Sequence, residues 1–158
     1  MNEYLLVKWA HILSATFLFG TGLGSAFYKW LTDRAGNLPA MAQTNRLVVF
    51  ADWIFTTPTI VIQPITGIWL LSIMSIPLHQ GWVLITILLY IIAGACWLPV
   101  VWLQIRMRDL AVEAYKENQP LGKNYQVYAQ IWFWLGVPAF IAMIAIYFLM
   151  IFKPAINL

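Results

Sequence analysis

The sequence has a single cysteine, Cys96, so no disulfide can form within the chain. Charge is scarce: 9% of residues are charged, against about a quarter in an ordinary globular domain. Six acidic residues and two histidines are spread too thinly to pair buried carboxylates, to set a serine beside a base or to join a cysteine to a histidine. Gly20, Gly22 and Gly24 follow no strand, so they are not a phosphate-binding loop. No basic-aromatic face exists outside the apolar stretches, which excludes nucleic acid as a partner.

Apolar residues are what the chain has in excess. They make up 62% of the sequence, more than a soluble fold of this length could hide, and a lipid bilayer is the partner that can take them. A spanning helix needs about 20 mostly apolar residues. Four stretches qualify: about Tyr4–Tyr28, Leu47–Ile76, Trp82–Ile105 and Ala129–Phe152. The first is too long for a signal-peptide core, and Gly24-Ser25-Ala26 inside it is a cleavage-site lookalike, so it reads as a retained helix. Lys29–Arg46, with Gly36 and Pro39, reads as a loop, and Pro77–Gly81 as a tight turn. From Arg106 to about Asn118 the third helix is expected to continue beyond the membrane, before Pro120 and Gly122 end it. The expected fold is all-α, a single-domain integral membrane four-helix up-down bundle with kinked helices over residues 1–158.

Seven of the nine basic residues lie in the first and third connections, as Lys29, Arg34, Arg46, Arg106, Arg108, Lys116 and Lys123. The positive-inside bias places those connections in the cytoplasm and both termini outside. Trp30, Trp82, Trp102 and Trp132 fall near expected interfaces and read as anchors.

His11 is the residue that most invites chemistry. It lies about two turns into the first helix, and an ionisable side chain at membrane depth is a functional candidate by default. Ser14 and Gly22 share its face, which is small and weakly polar. That leaves room for a flat macrocycle. The competing reading is a histidine bonded to a carbonyl or hydroxyl of a neighbouring helix. His79, in the outer turn, could add a second imidazole to an iron, with Met74, Met143 and Met150 as further possible ligands. Against this stands the ordinary state of a turn histidine, which is solvation.

Gly20 and Gly24 have the small-xxx-small spacing that lets helices approach closely. Thr56-Thr57-Pro58-Thr59 and Gln63-Pro64 predict a bent second helix, with the Gln63 amide seeking a partner near mid-membrane. Pro99 and Pro138 predict similar bends. Asp52 could cap its helix, pair with Arg46 or Arg106, or relay protons.

Val7-Lys8-Trp9-Ala10-His11-Ile12, with Phe19-Gly20 through Phe27-Tyr28, resembles the first helix of HemJ-type protoporphyrinogen oxidases, and more distantly CopD-like membrane proteins. Over its full length the chain is similar to a bacterial family of predicted integral membrane proteins of unknown function, through Lys8, His11, Ile12 and Phe19-Gly20-Thr21-Gly22. The first resemblance implies that His11 is a haem ligand. Those oxidases also use a lysine in a later helix, and Trp82–Ile105 contains none.

The leading expectation is therefore a haem b protein of the bacterial cytoplasmic membrane. Its metal ligands would be His11 and His79, with Ser14, Gly22 and Gln63 lining the cofactor. It would pass electrons to a redox partner or oxidise a lipophilic substrate, with quinone as a candidate partner. Two alternatives remain: a non-enzymatic membrane subunit without cofactor, and copper handling at the outer face. Assembly of several copies is left open.

Overall fold

The computed structural model describes residues 2–156. It contains five α-helices: α1 (Glu3–Ala35), α2 (Leu38–Ala51), α3 (Thr57–Ile73), α4 (Gly81–Lys116) and α5 (Lys123–Phe152). A π-helical segment, Asp52–Thr56, welds α2 to α3. The four bodies α1, α2–α3, α4 and α5 are each long and apolar enough to cross a membrane.

The first connection is not the loop that its Gly36 and Pro39 suggest. Helix α1 runs on through the basic residues to Ala35, and α2 begins at Leu38. Both signals act as caps. Gly36 takes a left-handed conformation (φ 67°) and its N–H bonds the Asp33 carbonyl, which closes α1. The Asn37 side chain accepts from the Ala40 N–H, and Pro39 sits in the first turn of α2, where a missing donor costs nothing. Helix α5 likewise starts at Lys123, before the apolar run begins.

The bundle has two unlike ends. At the basic end, α2 packs on both α1 and α4, and α4 packs on α5. Met41, Ala42, Leu103, Met107, Ala111, Tyr125 and Trp132 form one continuous core there. Toward the other end, which carries both chain termini, the contacts sort into two pairs, α1 with α3 and α4 with α5. A small second core of Trp82, Val83 and Leu149 closes the α4–α5 pair at its tip. The segment after α5 lies over it: a Cβ added to Gly81 would collide with the Ile156 backbone, so this position tolerates glycine alone.

Two of the four tryptophans read as interface anchors are core residues instead. Trp82 is buried and its indole donates to Gln80 Oε1 at 2.7 Å, while Trp132 is buried beside Lys29. Trp30 and Trp102 are exposed. Lys29 itself, counted as a loop charge, is fully buried.

Candidate functional site

His11 is turned toward α3. Its Nδ1 lies 2.7 Å from Thr66 Oγ1, and the Thr66 hydroxyl lies 2.7 Å from the Ile62 carbonyl one turn back. A hydroxyl has one proton to donate. With that proton on the Ile62 carbonyl, the imidazole donates from Nδ1–H and Nε2 keeps the lone pair. Gln63 Nε2 donates to the His11 carbonyl at 2.8 Å, so the same turn of α1 is held twice. Gly67 adjoins the ring: an added Cβ would stand in ordinary contact, 3.4 Å from His11 Cε1. Within this patch the sequence pattern Gln63-x-x-Thr66-Gly67 places an amide, a hydroxyl and a gap on one face of α3.

The remaining expected site residues do not join this patch. Ser14 is buried, and its hydroxyl has no partner among the described residues. Gly20 and Gly22 are exposed and Gly24 is half-buried, and among the described residues nothing lies within 4 Å of where the Cβ of any of the three would be. The small-xxx-small spacing therefore does not mark a helix crossing here. His79 is exposed in the turn after α3. Thr66 precedes the end of α3 by seven residues, about 10 Å of helix at 1.5 Å per residue, so the turn lies well beyond the His11 level. Met74 is exposed, and Met150 packs against the small terminal core.

A haem macrocycle asks for a free nitrogen and a cavity beside it. The nitrogen is present, because Nε2 has no hydrogen-bond partner among the described residues. The room is not. One cleft of about 320 Å³ is lined by Thr16, Phe19 and Gly20 of α1 and Ile144 and Tyr147 of α5. A second, of about 480 Å³, is wholly apolar and lies between α4 and α5, sharing Ile144 with the first. His11 lines neither. At 3.6 residues per turn, Phe19, Thr16 and Gly20 lie roughly 80–180° around α1 from it. The imidazole faces a helix, and the open space lies on another side. Among the described residues no three His, Cys, Asp or Glu side chains converge.

Two further polar clusters have partners that the sequence did not reveal. At the basic end, buried Lys29 donates to Asp33 Oδ2 at 2.6 Å and to the Tyr125 hydroxyl at 3.1 Å, and lies over the rings of Tyr125 and Trp132. Tyr125 donates to Asp33 Oδ1 at 2.6 Å and accepts from Asn45 at 2.8 Å. The i, i+4 spacing of Lys29 and Asp33 was legible as a helical pair; Tyr125, nearly a hundred residues away, was not. The other cluster surrounds Asp52, which pairs with neither Arg46 nor Arg106 among the described residues. Instead it accepts from Thr56 Oγ1 at 2.9 Å and is reached by Gln104 of α4.

Residues 5–154 match the family described as "Predicted integral membrane protein (DUF2269)", and the chain belongs to that family. No curated protein and no solved structure matches it.

Proposed function

We propose that this integral membrane protein is a non-enzymatic membrane subunit, in which His11 joins helices rather than serving a cofactor. One observation carries this reading. The His11 turn is engaged by α3 at the ring nitrogen, the ring edge and the backbone carbonyl, while the open clefts lie on another side of α1. Inside a bilayer there is little hydrophobic force between helices, so interhelical hydrogen bonds and close packing take its place. The α1–α3 pair is built that way. Such a subunit supports assembly or transport by a larger complex. The distribution of basic residues favours a cytoplasmic location for the basic end and a bacterial inner membrane as the setting.

Haem b binding is the second reading, and a specific feature favours it. A metal-binding histidine characteristically donates its other N–H to a neighbour that fixes the tautomer, and Thr66 does this for Nε2. His11, through the free Nε2, would hold haem there, and haem would supply one-electron chemistry. A lipophilic substrate such as a quinone would meet the apolar clefts rather than His11.

The two readings separate in one preparation. The protein is expressed with ample haem supply and purified in detergent, and oxidised and reduced spectra are recorded for the wild type and His11→Ala. The subunit reading expects a colourless, folded wild type and a less stable His11→Ala. A Soret band that disappears in His11→Ala overturns it in favour of haem. His79→Ala then shows whether a second imidazole holds the iron.

A further inference from the structure

The second span breaks its regular helical pattern at one place, and a buried carboxyl sits there. Single-turn π segments inside α-helices occur frequently at functional sites, because the extra residue redirects side chains and frees backbone groups. Here the wide turn sets the Thr57 N–H on the Asp52 carbonyl, and the Thr57 hydroxyl bonds the same oxygen at 2.9 Å. The Asp52 side chain is thereby turned into the bundle, where it is 6% exposed.

Its surroundings are polar but uncharged. Thr56 donates to it, and Gln104, itself buried, reaches it from α4. Helix α1 meets the π segment through Phe17 on Phe55, with ring centroids 5.7 Å apart. The charges on the neighbouring elements are engaged elsewhere or exposed. Lys29 of α1 is paired with Asp33, and Arg108 of α4 with Asp109. Arg46 of α2 and Arg106 of α4 are exposed. Helix α3 has no ionisable residue. An ionised carboxylate without a cation is very costly in an apolar interior, and such a group relieves the cost by taking up a proton.

Asp52 is also not isolated. Asn45, Asp52, Thr56, Thr59, Gln63 and Thr66 follow one another at spacings of seven, four, three, four and three, which places them on one face of the α2–α3 span. The first bonds Tyr125 in the Lys29 cluster, and the last bonds His11. A seam of hydroxyls and amides thus runs through the bundle, with a titratable group at each end and Asp52 between them.

We propose that Asp52 is a proton-binding site within the bundle, reached along this polar seam. The proposal is independent of what His11 binds. A lipophilic carbodiimide tests it directly. A protonated carboxyl adds across the carbodiimide C=N bond, its proton passing to nitrogen, and the acyl group then migrates from oxygen to nitrogen to give a stable acylurea with nothing lost. Purified full-length protein is treated with dicyclohexylcarbodiimide over a series of pH values, and the labelled carboxyl is located by peptide mass mapping. The other acidic residues, Glu3, Asp33, Asp109, Glu113 and Glu117, serve as internal comparisons. The expected result is label at Asp52 that declines as pH rises, is unaffected by exchanging choline chloride for sodium chloride, and is lost in Asp52→Asn. Thr56→Val, which removes the hydroxyl that donates to the ionised form, should carry the label to higher pH, a change that a merely structural threonine would not produce. Absence of label from wild-type Asp52 across the series overturns the proposal. Protection by sodium overturns it in favour of an alkali-cation site. Because the decisive measurement is made on the wild type, an unstable Asp52→Asn does not obscure it.

Discussion

The basic end and the terminal end of this bundle are built from similar residues and hold together differently. At the basic end α1, α2, α4 and α5 converge on one core, with Lys29, Asp33, Tyr125 and Asn45 bonded to one another inside it. At the terminal end the helices stand as two pairs. Between them the described residues offer isolated bridges, such as Phe19 on Phe140 and Tyr147, and the Tyr90 hydroxyl on the Ile60 carbonyl. The difference teaches that apolarity alone does not close a membrane bundle. Lipid is as apolar as leucine, so helices meet where polar groups or matched shapes give them a reason.

The comparison breaks most sharply at Asp33. Asp33→Ala leaves the fully buried Lys29 ammonium without its counterion, and removing one partner of a buried pair costs about 3–5 kcal/mol. Unfolding in detergent, followed by circular dichroism, should show that loss. Lys29→Met together with Asp33→Ala should recover much of it, since an apolar pair of similar volume needs no counterion. An Asp33→Ala protein of wild-type stability would mean that the basic end is held by shape alone.

Gly81→Val ranks next. Its side chain must displace the Ile156 backbone, and overpacking of this kind costs about 1–3 kcal/mol. The expected sign is a C-terminal segment released from the α4–α5 tip, read as faster carboxypeptidase trimming. His11→Ala should cost less, about 0.6–2 kcal/mol, the span measured for interhelical hydrogen bonds in membranes. Thr66→Val should cost a similar amount, and the double variant should cost little more than either single one, because both remove the same bond.

Much of the fold was legible because bilayer thickness imposes a length and lipid imposes a composition. Four apolar stretches had to be four spans. What was not legible was which face of each helix meets another. Hydrophobic periodicity reports that face in a soluble helix, but all faces of these helices are apolar, so the signal vanishes. Lys29 shows the consequence. A lysine at the end of an apolar stretch reads as an orientation signal, and only Tyr125 and Trp132 arriving from α5 make it a core residue. His11 shows the reverse. Its inward direction, and Gln63 as an amide in want of a partner, could be named from the sequence, but the pairing of the two and the Thr66 hydroxyl that holds the ring could not. The π segment was legible only as the bend that Thr56-Thr57-Pro58 predicts, because its extra residue is a property of backbone hydrogen bonding rather than of residue type.

The smallest expected effect bears on the comparison itself. Gly20 and Gly24 carry the spacing of a helix-crossing motif, yet nothing stands within 4 Å of either Cβ position. In an open helix face, alanine is the better helix former by about 0.5–1 kcal/mol, since glycine loses more backbone freedom on folding. Gly20→Ala and Gly24→Ala should therefore leave the protein unchanged or slightly more stable by the same unfolding measurement. A loss of more than about 1 kcal/mol would require a neighbour packed against those glycines, and would mean that the two helix pairs close on each other in the membrane. The cleft lined by Phe19 and Tyr147 would then be one state of a moving bundle, and the terminal end would be bistable where the basic end is fixed.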